Sequence, residues 1–236
     1  MPKSLSPGAH GLLAVLLAVL CATGLAVEAQ EQSVRPDVNL AYQDPDFELW
    51  QARFERPGRE VYDKRHEILA AVDLRPGMDV ADVGAGTGLF TLLFAPEVGS
   101  EGRVYAVDIA ESFVDGILHR AGESGLDNVV GVVNTQQDVR LPPASVDLVF
   151  TCDTYHHFEY PQSMLRSIHQ ALRPGGALVV IDFRREEGVS SPWVMQHVRA
   201  GRDTVIREIE AEGFRLAEEL DFLKINYYLR FVKQGG

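Results

Sequence analysis

The stretch MDVADVGAGTGLF, residues 78–90, decides the fold. Its first six residues form a short, mostly apolar run that reads as a buried strand. A helical pattern opens at Leu89, and Gly84, Gly86 and Gly88 stand between the two. Glycine at these positions lets the chain turn tightly and lets another group approach the backbone. Working outward, similar runs recur as RVYAVD (103–108), VVGVV (129–133), VDLVFT (146–151) and ALVVIDF (177–183). Near-continuous apolar runs are what parallel strands buried on both faces require. Helical stretches are expected over 89–96, 111–124 and 162–172, and strand–helix alternation at this spacing means an α/β doubly wound sheet. The tail reads as a helix over 198–214, then two strands, RLAEELDFL and NYYLRFVK, that close the sheet with an antiparallel pair. Upstream, Phe47, Trp50 and Phe54 recur at helical spacing, Pro57-Gly58 breaks the pattern, and a second helix runs to about Val72. With no internal repeat or low-complexity linker, the expectation is one domain over 76–236, preceded by a helical lid segment over 30–75.

The 236 residues carry a formal net charge of -12, with 46% hydrophobic and 24% charged residues. The length suffices for one full core. The sign of the charge argues against nucleic acid as a partner, since phosphate binding needs a Lys/Arg surplus. Residues 1–29 read differently from the rest. Lys3 precedes the uncharged apolar run Gly11–Val27, and small residues at Val27 and Ala29 precede Gln30. That order is the order of a secretory signal peptide. The expectation is an exported, periplasmic protein that meets the membrane only through this segment; the alternative is an uncleaved anchor. Cys21 and Cys152 are the only cysteines. Removal of the leader leaves one thiol, which excludes an intramolecular disulfide and cysteine-clustered zinc sites.

Two acids give the glycine loop its meaning. Asp82 lies two residues before Gly84, and Asp108 ends the second strand, 20 residues after Gly88. A carboxylate at that strand end is placed to accept the hydroxyls of a ribose. The loop spacing is G-x-G-x-G rather than the G-x-G-x-x-G of dinucleotide folds, and an acid beside it disfavours a pyrophosphate and favours an ammonium group. S-adenosylmethionine, with an adenosine, a sulfonium, an amino group and no phosphate, fits that chemistry. Here the chain resembles the class I S-adenosylmethionine-dependent methyltransferases. DVGAGTG matches their first motif, VYAVDI the second, VDLVF the fourth, and ALRPGGALVVID the stretch around the fifth strand, so the resemblance covers Pro76 to Phe183. It implies a single-domain, Rossmann-like seven-stranded sheet with the last strand antiparallel and helices on both faces. It also implies Asp82 near the methionine amino group, Gly84, Gly86 and Gly88 under the cofactor, Asp108 on the ribose and Ile109 against adenine. Gln137 or Asp138 would meet the adenine amino group. FERPGREVYDKRHEIL and CDTYHHF further resemble an exported bacterial subgroup of these enzymes.

Methyl transfer is an in-line displacement whose neutral thioether leaving group needs no acid; the enzyme aligns the acceptor and excludes water. Ligands bind outside the carboxyl ends of strands, and CDTYHHFEYP (152–161) begins at such an end. Asp153, Tyr155, His156 and His157 are therefore candidates to border a small-molecule acceptor, and His156, His157 or Asp153 to take a proton from it. No metal is expected there: adjacent histidines on an extended chain point to opposite sides, and a third ligand is needed. Trp50, Phe54 and Trp193 could roof the acceptor, and Arg56, Arg59 and Arg65 could hold a carboxylate, although core packing and a solvated helix face explain the same residues. Two other classes stay open: an NAD-dependent oxidoreductase, and a non-catalytic nucleoside-binding module on the same fold.

Overall fold

The computed structural model describes residues 1, 33 and 38–235. Apart from Met1, the expected leader lies outside them. No helix among the described residues is long and apolar enough to cross a membrane.

Seven strands form one sheet: β1 (Asp79–Val83), β2 (Arg103–Asp108), β3 (Val129–Val133), β4 (Val146–Cys152), β5 (Leu172–Phe183), β6 (Phe214–Leu220) and β7 (Asn226–Lys233). Their order is β3-β2-β1-β4-β5-β7-β6. The first five strands pair in parallel, and β7 runs antiparallel to both β5 and β6. The inner strands are the apolar runs of the sequence: Val80, Ala81, Leu148, Val149, Leu178 and Val179 are fully buried. Burial on both faces explains why these strands show no polar alternation.

Among the described residues, eight α-helices accompany the sheet: α1 (Phe47–Phe54), α2 (Glu60–Asp63), α3 (Arg65–Val72), α4 (Leu89–Val98), α5 (Glu111–Glu123), α6 (Pro161–Ala171), α7 (Pro192–His197) and α8 (Arg202–Ala211). Two cores result. Ile68 and Val72 of α3 and Phe90, Phe94 and Val98 of α4 pack on one face with Val80, Leu148 and Phe150. Met164, Leu165 and Ile168 of α6 and Val205 and Ile209 of α8 pack on the other with Val149, Leu178 and Val180.

Three boundaries differ from the reading of the sequence. β5 starts at Leu172, five residues before the expected 177, and its pairing with β4 shifts register between Val146 and Leu148. The helix expected to end near Val72 is two helices, because Lys64 leaves helical geometry between them (φ -96°, ψ 10°). α8 starts at Arg202 rather than near 198, because Gly201 is its extended N-cap.

β1 leads outward through β2 to β3, and the chain then returns to place β4 on the other side of β1. The crevice at the carboxyl ends of β1 and β4 is therefore the topological switch point, where such sheets bind ligands.

Candidate active site

A cavity of about 850 Å³ opens at that switch point. Its floor is the loop after β1. Gly84, Gly86 and Gly88 have φ of 73°, 55° and 83°, the left-handed region in which only glycine is unstrained. Gly84 and Ala85 donate their N–H groups to the Val107 carbonyl, which ties the loop to β2. A Cβ on Gly84 would stand 2.1 Å from Cγ2 of Thr154, in the loop after β4. The two loops that close the switch point thus meet only because this residue has no side chain.

Gly84 and Gly86 line the cavity, and Gly88 does not. Gly88 caps α4, and a Cβ there would stand 2.8 Å from Cγ1 of Ile117 on α5. Close helix packing is what this glycine permits.

Asp82, Asp108 and Ile109 line the cavity. Asp82 accepts from the Thr91 hydroxyl at 2.7 Å. Asp108 accepts from the Gly86 N–H at 2.9 Å and the Ala110 N–H at 3.0 Å. Burial raises both carboxyls, Asp82 to about 7 and Asp108 to about 6, against the pull of these hydrogen bonds. Gln137 and Asp138 are absent from the lining, which takes Asn134 and Gln136 from the same loop instead. The reason is local. The 134–138 loop folds back on Thr135, whose hydroxyl accepts from the N–H groups of Gln137 and Asp138, and Asp138 turns its carboxylate to the Arg140 N–H and the Ser167 hydroxyl. Asn134 donates its amide to the Thr135 carbonyl, while its Oδ1 is buried without a hydrogen-bond partner. A buried acceptor of this kind at a cavity wall calls for a donor from a ligand.

The N-terminal segment forms the roof: Tyr42, Trp50, Arg53, Phe54, Arg56 and Arg59 all line the cavity. Two carboxylates fasten it. Glu55 accepts from Thr87 of the glycine loop and from both Arg120 guanidinium nitrogens. Glu60 accepts from the N–H groups of Lys224 and Ile225 before β7 and of Asn226 at its start. Neither glutamate stands out in the sequence. Arg59 forms an ion pair with Asp153 at 2.8 Å at the site, and Arg53 lies over the Trp50 ring, 4.9 Å from its centroid.

Asp153, His156 and His157 all line the cavity. Asp153 adopts φ 51°, a left-handed conformation rare for a residue with a side chain. Its carboxylate is held by Arg59 and by the Asn226 amide. Residues 155–157 form one turn of 3-10 helix, not the extended chain assumed from the sequence. The two rings therefore lie side by side, with centroids 4.2 Å apart, and the expectation that they diverge is corrected. His156 is buried, and its Nδ1 lies 2.7 Å from Asp182 Oδ1. His157 Nδ1 lies 2.8 Å from Asn39 Oδ1. Burial, with His156 and His197 beside it, pushes the His157 ring down to about 2, so it is a neutral imidazole. His197 of α7 completes the group, 5.2 and 5.1 Å from the other two ring centroids. Asp182 had a signal in the sequence, being the one acid inside the apolar run of β5. His197 had none, lying 40 residues from the pair on a separate short helix. Cys152 also lines the cavity, and burial pushes its thiol well up, so it is an uncharged wall.

Residues 81–180 match a methyltransferase domain family. A ubiquinone/menaquinone biosynthesis C-methyltransferase, UbiE, of Hydrogenovibrio crunogenus is 34% identical over 123 residues, 52% of this chain and 48% of that protein. The chain thus spans about half the length of the curated relatives it matches. A SAM-dependent methyltransferase of Aquifex aeolicus superimposes with a TM-score of 0.71 at 26% identity, covering 80% of this chain and all of that one. The [4+2]-cyclase SpnF shares the fold, with a TM-score of 0.64 at 18% identity over 77% of this chain and 86% of its own.

Proposed function

We propose that the chain is a methyltransferase of the class I S-adenosylmethionine-dependent superfamily, a reading supported by the family match over residues 81–180 and by the relatives above, and that it transfers the methyl group of S-adenosylmethionine to a small-molecule acceptor at the histidine end of the cavity. One observation carries the reading. A single cavity joins the glycine loop, Asp82 and Asp108 to the imidazoles beyond Thr154. Its volume of about 850 Å³ lies toward the upper end of the range of about 300–1,000 Å³ usual for small-molecule sites, which suits a cofactor and an acceptor together.

The residues present fit the cofactor. Asp82 offers a buried carboxylate to its amino group, Asp108 keeps further lone pairs for ribose hydroxyls, and the partnerless Oδ1 of Asn134 offers an acceptor to the adenine amino group. Gly84 and Gly86 bring bare backbone to the same wall. When bound, S-adenosylmethionine supplies a methyl carbon made electrophilic by a sulfonium. The chain's own contribution is to align and to exclude water. α1, held down by Glu55, covers the cofactor end, and Asp153, held by Arg59 and Asn226, shapes the passage to the acceptor end. Burial and the neighbouring imidazoles keep the His157 ring neutral at neutral pH and make it a weak base. The NAD reading is disfavoured by the buried acid at Asp82, which would face a pyrophosphate.

The charge and apolar order of residues 1–29 supports an exported protein with Ala29 as the last residue removed; a full-length intact mass from the cell envelope would instead indicate an anchor. The test of function is incubation of the protein with methyl-labelled S-adenosylmethionine and a metabolite extract. Label is expected in one small molecule, and transfer to none, with cofactor bound, would leave a nucleoside-binding module.

A further inference from the structure

We propose that His156, His157 and His197 hold a divalent first-row transition metal, of the zinc class, at the acceptor end of the cavity. One donor nitrogen from each imidazole lies within 4.8 Å of the other two. The three rings come from two elements 40 residues apart in sequence, brought together where the turn after β4 meets α7.

The surroundings of the rings are those of ligands rather than of core histidines. Metal-bound histidines typically donate the second ring N–H to a carboxylate or carbonyl, which fixes tautomer and orientation. Asp182 does this for His156: one oxygen lies 2.7 Å from Nδ1, and the other accepts the His156 backbone N–H at 2.9 Å. Asp182 is itself buried on β5. For His157 the tautomer follows from bookkeeping of donors. Asn39 Nδ2 donates to the His157 carbonyl at 3.0 Å and to Glu159 Oε1 at 2.8 Å, so the amide orientation is fixed and Oδ1 faces His157. An amide oxygen only accepts, so Nδ1 carries the proton and Nε2 the lone pair. His197 is stacked on Trp193, with centroids 4.5 Å apart and planes 20° apart. Both rings of the 155–157 turn thus have Nδ1 committed behind them and Nε2 left for coordination.

The ligand set narrows the metal. Three imidazoles without thiolate suit zinc, copper, nickel, cobalt and iron better than magnesium or calcium, and three protein ligands leave one position for a water or substrate. That position belongs to the cavity, which all three histidines line. Tetrahedral coordination at a zinc–nitrogen distance of about 2.05 Å places the donors about 3.3 Å apart, so the widest separation here closes by about 1.5 Å on binding. His197, half-buried at the end of the six-residue α7, lies on a separate element from the other two rings.

The site does not depend on the methyl-transfer reading, and its test does not use turnover. Full-length protein without a polyhistidine tag is stripped with a chelator and titrated with Co²⁺, following visible absorption, then with Zn²⁺ in competition. The expected result is one Co²⁺ per chain with the intense bands of four- or five-coordination, displaced by one equivalent of Zn²⁺. His197→Gln and His157→Gln should each weaken binding at least about 100-fold, since loss of an outer partner alone weakens a metal site about 10–100-fold. His119→Gln, on the exposed face of α5, should bind as wild type. His197→Gln changes a half-buried residue on a short helix, so its folded state is secured by the unchanged core and checked by circular dichroism. No binding, weak six-coordinate bands only, or binding undiminished in His197→Gln would each overturn the proposal.

Discussion

Asp82 and Asp108 set the pH behaviour of the site. Both carboxyls are raised by burial, to about 7 and about 6, so the ligand-free folded chain holds protons that the unfolded chain has released. Stability of the ligand-free protein therefore falls as pH rises from about 4 to about 7. A ligand that presents an ammonium group and hydroxyls prefers both carboxylates ionised, and its binding expels those protons. Affinity for S-adenosylhomocysteine should then rise at least about tenfold between about pH 5.5 and about pH 8 and level off above that. Calorimetry in buffers of different ionisation enthalpy should register proton release near neutral pH; proton uptake, or a flat profile, would contradict the assignment. These two acids and Ile109 were legible in the sequence because each sits at or just past a strand end, where the sheet itself fixes position. Spacing alone does not reveal that the Thr135 hydroxyl folds the loop of Gln137 and Asp138, which leaves Asn134 and Gln136 on the cavity wall. A packing glycine and a ligand glycine look alike in sequence, and the approach of Ile117 shows that Gly88 serves packing.

At the scale of elements, the roof over the cofactor end rests on Glu55. Its carboxylate receives Arg120 from α5 in a two-pronged pair and Thr87 from the glycine loop. The pair is largely shielded from solvent, at 21% and 13% exposure, so screening leaves most of its strength. Glu55→Ala should weaken S-adenosylhomocysteine binding about tenfold and expose α1 to limited proteolysis, with a far smaller effect on the unfolding temperature of the sheet. Wild-type affinity and proteolysis would show that α1 is held by its aromatic contacts instead. The central strands could be read from sequence because burial on both faces leaves an unbroken apolar run. The roof could be read only as helical, since its anchors are single glutamates reaching Arg120 and the 224–226 backbone across long sequence separations. The histidine turn failed in the other direction: period-two reasoning applies to strands, and β4 ends at Cys152, three residues before the 3-10 turn begins.

Over the whole molecule, the strand order gathers the site at the carboxyl ends of the central strands. β1 and β4 open the switch point, β2 delivers Asp108, β5 delivers Asp182 behind His156, and the turn before β7 receives the roof through Glu60. The fold alone does not decide the chemistry, since unlike activities occur on it; the cofactor site does. Calorimetric titration with S-adenosylhomocysteine and, separately, with NAD tests this most directly, in wild type and in Asp108→Ala. The account predicts one S-adenosylhomocysteine per chain, no heat from NAD, and a loss of about 1.5–3 kcal/mol in the variant, the scale of a hydrogen bond to a charged group. Binding of NAD in its place, or an Asp108→Ala variant with wild-type affinity, would contradict it.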